Sequence, residues 1–184
     1  LKIGTIADLI HYRSQHETLV ERTLSKPVQS AHGEFMLHAY TDCTSNEVHL
    51  VLTKGEICPD QETLVRVHEP LSVVDFLDPG GERHTFSLDV AQAALARARA
   101  GVIVLLHRPE SGQDILAMLR EPAASKRPAA RWDPRIYGIG AQILRDLGVG
   151  KMKLLASPRR MPSMTGFDLE VTGHIAKLTD LEGL

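Results

Sequence analysis

The chain has 184 residues, 43% of them apolar and 24% charged, which is enough for one domain with a sizeable core. Its net charge of −2 gives no general attraction for nucleic acid or for an anionic membrane. Two cysteines, Cys43 and Cys58, exclude a disulfide framework, and the longest apolar run, Gly101 to Leu106, is too short to span a bilayer.

Residues 5–13 predict an amphipathic helix, capped by Thr5, with Ile6, Leu9 and Ile10 on one face. Residues 14–26 are polar and read as a linker, so an inter-domain segment is expected over 1–26 and a domain over 27–174. From Glu34 to Tyr40 the apolar groups Phe35, Leu37 and Ala39 alternate, the period of a half-buried strand. His32-Gly33 before it is a turn, so a hairpin is expected over 27–40. Glu47 to Thr53 and Thr63 to His68 are two further strand signals. Short strands in succession imply antiparallel pairing in the first half.

The second half changes character. Leu88 to Arg99 is Ala-rich and helical, with Gly101 just past its end. Val102 to Leu106 is a short apolar run that suits a strand buried on both faces. Gly112 to Arg120 predicts a short helix, and Glu121 to Ala130, with its prolines, small residues and basic pair, a loop. Asp133-Pro134 is a helix start: the aspartate caps, and proline in the first turn gives up an N–H that has no partner anyway. Ile136, Ile139, Ile143, Leu144 and Leu147 follow at helical spacing until Gly148. Lys151 to Ala156 and Phe167 to Val171 read as strands, and 175–184 as a disordered polar tail. The expected class is therefore α/β of the mixed α+β kind, with antiparallel strands first and helix-strand alternation after.

Three stretches resemble the GTP cyclohydrolase II family. Val65-Arg66-Val67-His68-Glu69 is similar to its Arg-Val-His-Ser-Glu strand end. Leu105-Leu106-His107-Arg108-Pro109-Glu110 is similar to its His-Arg-Gln-Glu-Gly-Arg turn. Asp133-Pro134-Arg135-Ile136-Tyr137, with Gly140-Ala141-Gln142-Ile143-Leu144 and Leu147-Gly148-Val149, resembles its Asp-x-Arg-x-Tyr helix and the continuation. The stretches occur in the family's order. Leu1 to Ile10 looks like the junction in bifunctional riboflavin proteins, where a dihydroxybutanone phosphate synthase domain comes first, so the chain is expected to be the second half of such a fusion.

The resemblance implies opening of the guanine imidazole ring of GTP, with release of formate and pyrophosphate. That chemistry needs zinc on three protein ligands with a fourth position open for water. The family supplies three thiolates, and their places fall at Pro70, near Thr85 and near Ser87, none of which is a cysteine. Cys43 and Cys58 lie outside the pattern. His68, His84 and His107 are the histidines that could rebuild a metal site, since imidazole suits zinc. The expectation is no metal and no cofactor.

The phosphate side of the resemblance is better kept. Arg135 matches the arginine thought to attack the α-phosphate, with Asp133 beside it; its bland reading is a solvent-facing side chain or a pair with Asp133. Arg66, His68, Glu69, Arg108 and Glu110, with Arg159 and Arg160 in the later loop, are the candidate nucleotide- and phosphate-binding residues. Taken without the family, Arg66 reads as a surface strand residue and Arg159-Arg160 as solvated loop charges. The family's Tyr segment, one arginine of the turn and the Thr-Asn-Asn loop have no counterpart here.

Three functions are compatible with these residues. The expected one is a degenerate domain without ring-opening activity, structural, dimerising or ligand-sensing. The second is an active GTP cyclohydrolase II or a partial pyrophosphohydrolase using Arg135. The third is an unrelated α/β binding module. Expected partners are GTP, a related nucleotide or pyrophosphate, the synthase domain and a second copy of the chain, without nucleic acid or membrane. A cytoplasmic location is expected.

Overall fold

One mixed sheet of seven strands organises the chain, in the order β1-β2-β3-β5-β4-β6-β7. The computed structural model describes residues 12, 17–77, 84–107, 109–120, 134–158, 167–177 and 179–180, with backbone alone at 70, 71 and 134–137. The strands are β1 (Val20–Ser30), β2 (Gly33–Asp42), β3 (Val48–Lys54), β4 (Glu62–Leu71), β5 (Gly101–His107), β6 (Lys151–Leu155) and β7 (Glu170–Ile175). The helices are α1 (Val74–Leu77), α2 (Leu88–Arg97), α3 (Gly112–Arg120) and α4 (Pro134–Asp146). The mixed α+β class expected from the sequence is the one observed.

β1, β2, β3 and β5 pair antiparallel in turn. β4 pairs parallel with both β5 and β6, and β6 parallel with β7. This corrects the expectation that the first-half strands are all antiparallel. β4 is followed by helices α1 and α2 rather than by a tight turn, and a helical crossover returns the chain to lie parallel. Its unbroken buried run from Thr63 to Arg66 is the mark of a strand covered on both faces.

The linker expected over 14–26 is also corrected in part. β1 starts at Val20, and Val20 to Lys26 pair with Asp42 to Leu37 of β2. The segment is polar because it is an edge strand exposed along most of its length, so its composition hides a strand. The strand expected from Phe167 runs instead over Glu170–Ile175, with Phe167 and Leu169 buried just ahead of it. Gly101 does not cap α2. Ala98 takes that place in an extended conformation, and Gly101 opens β5, where a β-carbon would run into the Leu95 side chain. The expectations for residues 5–13 (Tyr12 apart), 121–130 and Asp133 lie outside the described residues. Within the expected tail, the Lys177 amide donates to the Asp180 carboxylate at 3.1 Å and closes a short turn.

Alternate strand residues feed opposite faces. Val51, Val65, Val102 and Val104 pack with Ile139, Ile143 and Leu144 of α4. Leu52, Leu64, Ile103 and Leu105 pack with Ala91, Ala94 and Leu95 of α2. Among the described residues, no helix is long and apolar enough to cross a membrane.

Candidate functional site

The parallel strands β5, β4 and β6 end at one edge of the sheet. β4 lies between the two strands that follow it in sequence, so the chain leaves it toward β5 and later returns on its other side as β6. A crevice forms outside the carboxyl ends of strands at such a reversal. Of the residues singled out from the sequence, His68 and Glu69 lie toward the end of β4, Arg66 midway along it, and Glu110 just after β5. Arg159 and Arg160 follow β6 but lie outside the described residues, as do Arg108 and Asp133. Arg135 is in the first turn of α4, where the backbone alone is described.

Arg66 is buried, which corrects its reading as a surface strand residue. Its Nη1 donates to the Leu155 carbonyl at 3.0 Å and its Nη2 to the Phe86 carbonyl at 3.2 Å. The guanidinium therefore ties the end of β6 and the segment before α2 to β4. Gln142, in the expected Gly-Ala-Gln-Ile-Leu stretch, also has a task within the fold: its Oε1 accepts from the Leu19 amide and its Nε2 donates to the Glu17 carbonyl.

His68, Asp75 and His84 form the densest polar group at this edge. His68 is fully buried, Asp75 nearly so, and His84 half-buried. The His68 Nε2 lies 3.4 Å from Asp75 Oδ2, and the His84 Nε2 lies 3.4 Å from Asp75 Oδ1. The two imidazole rings are 4.1 Å apart, centre to centre. Burial pushes His68 below its usual value against the pull of Asp75. Burial alone would raise Asp75, but the bonds from His68, His84 and the Ser72 backbone hold its carboxyl well below the usual range.

Asp75 was missed by the sequence reading, though a signal for it exists. Ser72-Val73-Val74-Asp75 is a capping box: the Ser72 Oγ accepts from the Val74 amide and Asp75 Oδ2 accepts from the Ser72 amide at 2.9 Å. Ser111 and Asp114 repeat the device at the start of α3. The Ser72 hydroxyl also donates to Glu110 Oε2 at 3.1 Å, which links Glu110 to the group.

The places where the resemblance expects thiolates hold none. Pro70 is within β4, Thr85 is exposed, and Ser87 caps α2, its Oγ accepting from the Val90 amide at 3.3 Å. Cys43 is exposed and Cys58 half-buried, and neither joins a cluster of ligands among the described residues. His107, the third histidine considered, is exposed, and its amide donates to the buried His49 Nδ1.

The GTP cyclohydrolase II family model matches residues 21–176. The chain belongs to the GTP cyclohydrolase II family. It is 49% identical over 173 residues to a 3,4-dihydroxy-2-butanone 4-phosphate synthase of Neisseria meningitidis, covering 94% of this chain and 47% of that protein. It is 37% identical over 187 residues to the riboflavin biosynthesis protein RibBA of Aquifex aeolicus, covering 95% and 46%. A crystal structure of RibBX, described as a two-domain 3,4-dihydroxy-2-butanone 4-phosphate synthase from A. baumannii, superposes with a TM-score of 0.61 at 38% identity, covering 96% of this chain and 46% of that one. This GTP cyclohydrolase II-family chain spans about half the length of the curated relatives it matches. The reading as an unrelated binding module is set aside.

Proposed function

We propose that this chain is a GTP cyclohydrolase II-like domain of a riboflavin biosynthesis protein that does not open the guanine ring. One observation carries this reading: the places of the three zinc thiolates fall at Pro70, near Thr85 and near Ser87, and none of these residues can supply one. Without those ligands the thiolate zinc that generates hydroxide at neutral pH is not built. The domain then serves the longer protein by supporting the synthase domain, by pairing two copies, or by sensing a nucleotide or pyrophosphate. The crevice at the ends of β4, β5 and β6 is where such a ligand would bind. Arg66 supports it from within the fold, and Glu110, Arg135, Arg159 and Arg160 remain the candidates for direct contact.

The test is to incubate the purified chain with GTP and assay formate and pyrophosphate separately. Neither product is expected. Formate release that a chelator abolishes would overturn the reading. Pyrophosphate without formate, lost in Arg135→Ala, would replace it with a partial pyrophosphohydrolase. A thermal-shift screen with GTP, GMP, pyrophosphate and flavins identifies the ligand, because binding to the native state alone raises apparent stability.

A further inference from the structure

We propose that His68, Asp75 and His84 form a binding site for one divalent transition-metal cation of the zinc class, with two nitrogen donors and one oxygen donor. The site uses no thiolate, although His84 adjoins Thr85 and His68 lies two residues before Pro70.

The spacing is the first argument. His68 Nε2 to Asp75 Oδ2 and His84 Nε2 to Asp75 Oδ1 are both 3.4 Å. That is long for hydrogen bonds to an ionised carboxylate, which close to about 2.7–2.9 Å. Each separation, to one or the other Asp75 oxygen, is of the size that divides two ligand atoms of a tetrahedral zinc ion, about 3.3–3.4 Å for metal–ligand bonds of about 2.0–2.1 Å. A donor atom from each of the three residues lies within 4.8 Å of the others. The carboxylate is flanked by the two rings, whose centres are 4.1 Å apart.

The second argument is the donor set and its burial. Two imidazoles and one carboxylate are donor types that zinc takes. His68 and Asp75 are both buried, and His84 is half-buried. The buried Nδ1 of His68 makes no hydrogen bond among the described residues. That deficit is present with or without the cation, so it does not weigh against occupancy.

The third argument is placement. His68 sits on the central parallel strand, and Asp75 is held by the Ser72 amide. Two ligands are therefore positioned before any metal arrives. His84 is half-buried and gives a route from solvent. Three protein ligands would leave a fourth position open.

The experiment uses the whole chain, stripped with a chelator and reloaded with Zn²⁺ or Co²⁺ alone. About one equivalent of zinc retained through gel filtration, a raised unfolding midpoint and the visible ligand-field bands of tetrahedral Co²⁺ are expected. His84→Ala should weaken zinc binding at least tenfold, and Asp75→Asn likewise, while Cys43→Ser with Cys58→Ser should leave it unchanged. His84→Cys, which keeps a zinc ligand, should restore binding with a shifted Co²⁺ spectrum. Circular dichroism of each variant shows that it is folded. No retained metal in the folded wild-type chain, or retention unchanged in His84→Ala, overturns the site. Formate release bears on the proposed function alone, and metal retention on this site alone, so each can fail without the other.

Discussion

Tyr40 donates its hydroxyl to Asp146 across 2.6 Å, joining the middle of the antiparallel half to the last residue of α4. The same carboxylate receives the Arg22 guanidinium, whose carbon lies 5.7 Å from the centre of the Tyr40 ring. Burial and the Asp146 carboxylate push the Tyr40 phenol well above its usual value, so it stays a donor. Tyr40→Phe should lower stability by about 1–2 kcal/mol in urea unfolding. Asp146→Ala should cost more, because it leaves the buried phenol without its acceptor. The exposed Arg22 pair adds little on its own. Equal stability of both variants and the wild type would show that the link carries no energy.

Stability should fall with acid well before the carboxylates titrate. His38 and His49 are buried, and burial is the main cause that pushes each below its usual value. His38 is also held by the Ser25 and Thr53 hydroxyls at 2.7 Å and 3.0 Å. The unfolded chain takes up these protons near pH ~6.5, while the folded chain resists them. Stability is therefore full above that value and declines as the pH drops through it. Urea midpoints from about pH 8 to about pH 5 should show this slope, and His38→Gln should flatten it. A midpoint that rises on acidification contradicts the assignment.

Gly55 has a φ of +73°, and a β-carbon there would collide with the Arg99 carbonyl that precedes β5. Gly55→Ala should destabilise by about 2 kcal/mol or more, from strain and collision together. Gly112 is the contrast. It begins α3, and a β-carbon there meets nothing within 4 Å. Gly112→Ala should be neutral or stabilise by up to about 1 kcal/mol. Thermal unfolding of the two variants separates these outcomes.

Gln142→Leu keeps the buried volume and removes both of the bonds that hold the entry to β1. The Leu19 amide then loses its acceptor, at an expected cost of about 1–3 kcal/mol. The effect should be local first. Hydrogen exchange at Leu19 and protease cleavage near Glu17 should rise before the sheet loosens.

Elements with strong local signals were legible. The helix over Gly112–Arg120 has the limits its capping box sets, and α4 begins at Pro134 and ends before Gly148, whose φ is +83°. The hairpin around Gly33 and the buried run of β5 followed from period and turn residues. The first part of β1, Val20 to Lys26, was missed because an edge strand exposed on most of its length carries no apolar period. Arg66 was misjudged because nothing in Val-Arg-Val says which carbonyls come to meet the side chain; Leu155 is 89 residues away.

The sequence by itself determined the caps, the turns, the apolar strands and the ordered stretches that mark the family, because each depends on residues close together in the chain. It also determined that Pro70, Thr85 and Ser87 carry no thiol. Only the tertiary structure decided that β4 runs parallel between β5 and β6, and that His68, Asp75 and His84 meet around one carboxylate. The physical reason is that strand order and burial are settled by long-range packing, in which the two apolar faces of the sheet must both be covered. A local pattern shows that a face exists, but not which partner buries it.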